Sequence, residues 1–429
     1  MINAGNVLGL NARNRFFLSS NKKEGRKIAD SKLQTKRFLR RAGLPTPKIL
    51  ATFRNSQKIN DFAWETLPDN FVLKPSKGFG GQGVLIVKKR AKWAGEWYLM
   101  DGSLIRTQDL RFHALEILAG RFSLHNTPDV AFIEERIKIQ KIFAKYVWHG
   151  TPDIRIIVFN KVPVAAMLRL PTRESQGKSN LHQGAIGVGV GLATGITTSG
   201  VLNGRFIKFI PGTKRKINGL KIPQWDKILT LAVKAQGAVP SLGYFGVDIV
   251  LDKERGPMIL ELNARPGLEI QNANLAPLKK RLERVEGLEI KDAEHGVKIA
   301  KALFAERFAD RVMAEEGIKT IKVWEKVKIV TSDKNRVEIE AKIDTGAFRS
   351  SIDKELAQRL GLLTEENILW KNRFGYRSTV GLQPRPVIGI TFWLAGRKIQ
   401  TTASVTDRSK MKSRFLVGTN DLMGFLIST

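Results

Sequence analysis

Three oxygen-bearing side chains stand at a spacing that can hold a hard cation. In residues 242–272, LGYFGVDIVLDKERGPMILELNARPGLEIQN, apolar runs at Val247–Leu251 and Met258–Asn263 flank a polar, Gly/Pro-marked connection, the pattern of a β-hairpin. A four-residue loop pairs Asp252 with Pro257, and the same register sets Asp248 opposite Glu261. Side chains alternate along a strand, so Glu261 and Asn263 share one face with Asp248. Two facing carboxylates repel unless a cation lies between them. Oxygen ligands without His or Cys suit Mg2+ (or Mn2+) shared with the phosphates of a nucleotide. The same spacing also serves a solvated hairpin edge whose acids face water.

A second group of residues suits phosphate. Residues 71–87, FVLKPSKGFGGQGVLIV, place Gly78, Gly80, Gly81 and Gly83 between two apolar strands, so the backbone can fold over an anion without side-chain clash. Lys74 interrupts the first strand and Lys77 lies in the loop. No Gly-Lys-Ser/Thr opens a helix, so this is not a Walker loop. Residues 130–137, VAFIEERI, form an apolar strand ending in acids, Glu134 among them. Arg155 and Arg169 interrupt the apolar runs 152–159 and 162–170, where a guanidinium needs an anionic partner. Asp153 is the nearest candidate for Arg155. Glycines at 184, 187, 189 and 191 alternate with apolar residues, the mark of a strand approached closely by a ligand or another backbone.

The elements that carry these residues are legible too. The segment 30–43 reads as a helix capped by Asp30 or Ser31, with apolar Leu33, Phe38, Leu39 and Ala42 and a stop at Gly43. Lys36 sits on it among several other lysines and arginines, where the plain reading is a solvated lysine. Residues 273–319 look helical and basic, and from Lys322 onward the chain turns strand-rich, with runs at 326–330, 337–343, 386–393 and 398–405 that suggest a small barrel. Within it, Asp344-Thr345-Gly346 follows an apolar strand. An aspartate on such a turn activates water when it shares a proton with a second aspartate.

The 429 residues are 42% hydrophobic, enough for two or three cores. With no cysteine in the chain, disulfides, thiolate catalysis and Cys-based zinc sites are excluded. No apolar run reaches membrane-spanning length and the N-terminus lacks a signal-peptide pattern, so the expected location is cytoplasmic. The net charge of +32 raises nucleic acid as a partner. Its spread is even: residues 320–429 carry 19 Lys+Arg and 11 Asp+Glu, against 53 and 29 in the first 319. A dedicated binding arm would concentrate the charge.

Asp248 with Glu261-Leu262-Asn263-Ala264-Arg265-Pro266-Gly267 resembles the metal-binding end of the ATP-grasp ligases, in the branch of α-L-glutamate ligase-like proteins. The resemblance extends over Leu8–Asn14, Asp30–Pro47, Val72–Val87, Pro152–Leu192 and Leu242–Asn272. It implies an α+β fold in which two α+β subdomains clamp ATP, with Mg2+ on Asp248, Glu261 and Asn263. It further implies phosphate contacts from Lys36, Lys74, Lys77, Gly80, Gly81 and Gly83, and Glu134 beside the adenine. Arg155 and Arg265 would face an acyl-phosphate, and Arg169, Asn180 and His182 the substrate. The activity implied is ATP-dependent joining of glutamate or another small amino acid to a peptide or protein.

The Asp344 loop and Phe415–Leu422 resemble retropepsin-like aspartic peptidases, and proteins labelled ATP-dependent zinc proteases. No His or Cys follows His295, which argues against zinc, and a single Asp-Thr-Gly requires a homodimer for a peptidase dyad. The expected domains are therefore a 1–29 lead-in, a 30–290 ATP-grasp ligase, a 291–321 helical linker and a 322–429 acid-protease-like β barrel. Two other readings fit the sequence: a peptidase regulated by a non-ligating ATP-binding domain, and a basic nucleic-acid-binding protein.

Overall fold

The helix expected near residue 30 runs from Lys32 to Arg41 (α1). Ser31 rather than Asp30 caps it, its hydroxyl accepting from the Gln34 N–H at 3.3 Å, and Gly43 follows its end at φ 70°. The structure, a computed structural model, describes residues 7–78, 80–123, 126–305, 319–372, 385–422 and 425–428. They fall into two compact units. One ends at Glu286 and the other begins at Gly287, with Gly191–Thr194 belonging to the second.

The first unit holds two antiparallel sheets. Strands Ile49–Phe53 (β1), Phe71–Pro75 (β2), Leu85–Arg90 (β3), Glu96–Leu99 (β4), Leu104–Arg106 (β5) and Ala131–Glu135 (β6) pair in the order β1-β6-β2-β3-β4-β5. The helix Thr107–Leu118 (α2) backs them. Aromatic rings fill the space beneath, with Phe53 stacked on Trp64 and Phe71 edge-on to Trp97.

The second sheet is built from Asp153–Phe159 (β7), Val162–Leu170 (β8), Ile186–Val190 (β9), Thr197–Leu202 (β10), Arg205–Ile207 (β11), Tyr244–Asp252 (β12) and Gly256–Asn263 (β13). Its order is β11-β10-β9-β8-β7-β12-β13. The helix Trp225–Ala238 (α3) packs on β7, β8, β12 and β13. Every residue of β8 and β12 is buried, which is why both read as nearly unbroken apolar runs and why a charge inside them must find a partner there.

The β12–β13 hairpin differs from the expected one at its tip. Asp252 pairs with Gly256, not Pro257, so the loop has three residues. The Asp252 carboxylate accepts from the N–H groups of Glu254 and Arg255, both at 3.0 Å, and Gly256 takes φ 80°. These bonds favour the tighter turn. A bulge between Asp248 and Ile249 then absorbs one residue, and Asp248 still faces Glu261.

The expected separate lead-in is knit into this unit. The Gln271 side chain bonds both the N–H and the carbonyl of Leu8 at 3.0 Å, and Asn21 bonds the backbone of Gly243, Tyr244 and Ala264.

The second unit opens with the helix Ala293–Leu303 (α4). The helical linker expected to reach 321 gives way to a strand, Lys319–Lys322 (β14), and its residues 306–318 lie outside the described ones. The strands Trp324–Val330 (β15), Arg336–Asp344 (β16), Ser350–Asp353 (β17), Ile368–Asn372 (β18), Arg385–Leu394 (β19), Arg397–Thr406 (β20), Phe415–Gly418 (β21) and Phe425–Ser428 (β22) follow. Strands β14 and β22 pair in parallel. The others run β15-β16-β21-β17-β20-β19-β18, and β15 also pairs with β19, closing a six-stranded barrel. Val327, Ile343, Phe392, Phe415 and Val417 lie in its core. Among the described residues, no helix is long and apolar enough to cross a membrane.

Candidate active site

The glycine loop that follows β2 is pinned at both ends. At its start Asp129 accepts from the N–H of Lys77 at 2.7 Å and, through its other oxygen, from Val130. At its end the His113 ring meets the Gly83 carbonyl at 2.9 Å. Gly80, Gly81 and Gly83 hold φ of 62°, 78° and 69°, which side chains resist. A Cβ on Gly83 would stand 2.6 Å from the Phe122 ring. Asn180, expected near the substrate, donates to the Gly80 carbonyl at 2.8 Å. His182 is exposed, and its backbone N–H bonds the Asn180 side chain.

Two expected lysines meet behind this loop. Glu134 on β6 lies 2.9 Å from Lys36 Nζ and in closer contact with Lys74 Nζ. Lys36 and Glu134 are buried. Burial would raise the Glu134 carboxyl, but the two ammonium groups outweigh it and hold the group below its usual value. Burial in turn pulls Lys36 below the ordinary lysine range. The Glu134 carboxylate thus faces two ammonium groups, a pairing the strand-end position alone did not disclose.

The hairpin face carries a ladder of charge. Across β12 and β7, Asp248 stands opposite Arg155, whose Nε and Nη2 donate to its two oxygens at 2.7 and 2.6 Å. Across β7 and β8, Asp153 stands opposite Arg169. Arg169 Nε and Nη2 donate to Asp153 at 2.6 and 2.7 Å, and Nη2 also reaches Asp248 at 2.8 Å. Asp153 therefore serves Arg169, not Arg155, because the antiparallel register puts them face to face. Burial would raise Asp248, but Arg155 and Arg169 prevail and hold it well below the ordinary carboxylate range. Burial, aided by the charge of Asp248, pushes Asp153 up to about 7 against the pull of Arg169.

Asn263 turns its amide nitrogen to Asp248 at 3.2 Å, which leaves its oxygen as a donor to a cation. Glu261 is partly exposed. Among the described residues no three His, Cys, Asp or Glu side chains gather as a metal cage. The set is two acids and an amide, all hard oxygens, with Asp248 kept ionised. That fits Mg2+ completed by phosphates and water, the ion's usual mode of binding. Arg265 is half-exposed, with its guanidinium 3.4 Å from Asp30.

One residue escaped the sequence reading. Lys32, in the first turn of α1, donates to the Gly78 carbonyl at 2.8 Å and lies 3.7 Å from Glu261 Oε2. Its signal was its position: a cation at a helix N-terminus opposes the macrodipole, so something else must favour it there.

In the second unit Asp344 ends β16, and its carboxylate accepts from the Gly346 N–H at 2.9 Å. Strand β21 runs parallel beside it, Gly418 opposite Asp344. A Cβ on Gly418 would come within 2.6 Å of the Arg349 backbone. The Ser350 hydroxyl accepts from the Gly418 N–H at 3.1 Å and donates to buried Asp421. Asp407 is exposed and caps its own turn at Ser409.

No curated protein matches the chain by sequence. Among solved structures, the ATP-grasp ligase PsnB complexed with a minimal precursor is 16% identical over 62% of this chain and 62% of its own, with a TM-score of 0.33. The D-alanine-D-alanine ligase of Coxiella burnetii is 14% identical over 69% of this chain and 64% of its own, with a TM-score of 0.34. The chain thus spans under two thirds of the length of either. A Legionella pneumophila protein of unknown function, Lpg0085, is 14% identical over 26% of this chain and 92% of its own, with a TM-score of 0.17. The model of one family, described as sugar-transfer associated ATP-grasp, matches residues 11–287. That span holds the glycine loop, the buried lysines and the acidic hairpin together, and the chain belongs to the sugar-transfer associated ATP-grasp family.

Proposed function

We propose that the chain is an ATP-dependent carboxylate–amine ligase that joins glutamate or another small amino acid to a peptide or protein through an acyl-phosphate. One observation carries this reading: Lys32 touches the glycine loop at Gly78 and stands 3.7 Å from Glu261. The loop suited to phosphate and the acids suited to a cation are therefore within reach of one side chain.

Lys36, Lys74, Lys77 and the N–H groups of Gly80, Gly81 and Gly83 bind and orient the phosphates of ATP. Held by Asp248, Glu261 and Asn263, Mg2+ (or Mn2+) would neutralise phosphate charge during transfer. The substrate carboxylate takes the terminal phosphoryl group, and Arg155 and Arg265 meet the charge that develops. An amine then displaces phosphate to leave the amide. Asn180 holds the glycine loop over this chemistry, with His182 on the side of the amino-acid substrate.

The test is ADP release screened against amino acids and acidic peptides, with product mass read alongside and Glu261→Gln as control. Wild type should release ADP only with a productive pair and add the mass of one amino-acid residue, the amino acid less water. Phosphate release that ignores the acceptor, with no mass gain, sinks the proposal.

A second activity rests on the Asp344 turn and its parallel partner Gly418. A homodimer would bring two copies of Asp344 together as a peptidase dyad that trims the ligase product. Cleavage of that product by wild type and not by Asp344→Asn supports it; a chain that stays monomeric in sedimentation removes it.

A further inference from the structure

The two guanidiniums beside Asp248 are not equivalent. Arg169 holds two carboxylates at once, with Nε and Nη2 on Asp153 and Nη2 again on Asp248. It sits in β8, where every residue is buried, with Asp153 opposite on one side and Gly187 on the other. Among the described residues, Arg155 bonds Asp248 alone. Without Arg155, Asp248 would keep Arg169 and Asn263. Without Arg169, Asp153 and Asp248 would be two buried acids with no cation shared between them, and such a pair pushes apart.

We propose that Arg169, braced by Asp153, is a positioning residue that fixes Asp248 for the cation, and that Arg155 is the guanidinium free to turn to the transferred phosphate. The inference rests on the ligase reading and reassigns Arg169 from substrate contact to support. A partner behind a metal ligand orients it and sets its affinity without touching the ion. Arg169 suits that task because it is held from behind; Arg155 suits the mobile one because a single carboxylate holds it.

The test uses the full chain, with Mn2+ as the probe. Free Mn2+ is followed by electron paramagnetic resonance during titration in the presence of a non-hydrolysable ATP analogue. Analogue binding in EDTA and thermal unfolding are measured in parallel. Arg169→Lys and Asp153→Asn should each weaken Mn2+ binding about tenfold or more, with analogue affinity in EDTA unchanged. Arg155→Lys should leave Mn2+ affinity within about twofold while kcat falls.

Unchanged Mn2+ affinity in Arg169→Lys and Asp153→Asn, even with a lowered Tm, overturns the inference. So does equal loosening by Arg155→Lys. If Arg169→Lys does not fold, Asp153→Asn, which keeps the shape of the side chain, decides alone. A wild type that binds no Mn2+ beside the analogue overturns the ligase reading itself, and the inference with it.

Discussion

Charge partnership at single residues governs this site. Glu134 serves Lys36 and Lys74 at once, and removing one partner of a buried ionic group costs far more than the group contributes when whole. Glu134→Gln should lower stability by about 3–5 kcal/mol, because it leaves two ammonium groups to repel each other. Urea unfolding measures the loss. Glu134→Gln/Lys36→Met should recover part of it, and strict additivity of the two changes would show that the pair does not interact. Lys74 stood out in the sequence as a charge inside an apolar run, whereas Lys36 was one basic residue among several on its helix. Their common partner did not. Lys36 and Glu134 lie almost a hundred positions apart, and only the meeting of α1 with β6 brings them together.

The β12–β13 hairpin acts as the bracket that presents the acids. Its tip is tied by Asp252, which accepts from the N–H groups of Arg255, Glu254 and Lys138. Burial pushes this carboxyl up, but the three N–H bonds outweigh it and set it below its ordinary value. A carboxyl depressed in the folded state gives stability that is present above its unfolded pKa, about 4, and is lost as pH falls through the lower folded value. Asp252→Asn should therefore cost about 1–2 kcal/mol at neutral pH. The gap to wild type should close on acidification below about pH 4, in unfolding curves taken across that range. A gap constant with pH would mean that the carboxylate charge plays no part. Within the hairpin Asp248 faces Glu261 as expected, yet the loop is one residue shorter and a bulge makes up the difference. Alternation named the shared face, while the loop length was settled by hydrogen bonds that composition does not display.

As a whole molecule, the chain carries separate cores in its two units. The barrel core gathers residues from Ile321 to Leu422, with the Phe392 and Phe415 rings edge to face at 5.2 Å. Calorimetry should show two unfolding transitions, and Phe392→Ala should destabilise one of them by about 3–5 kcal/mol while leaving Mn2+ and nucleotide binding intact. A single transition that moves as one would contradict this. By itself the sequence determined which residues could do chemistry. Period-two alternation, glycines between apolar runs and charges inside strands follow from local sterics and from the cost of burying a charge. The tertiary structure alone decided which charges meet. Asp153 belongs to Arg169 and Asp248 to Arg155 because antiparallel register sets residues 16 and 93 positions apart face to face, and register between strands is fixed by the packing of the whole sheet.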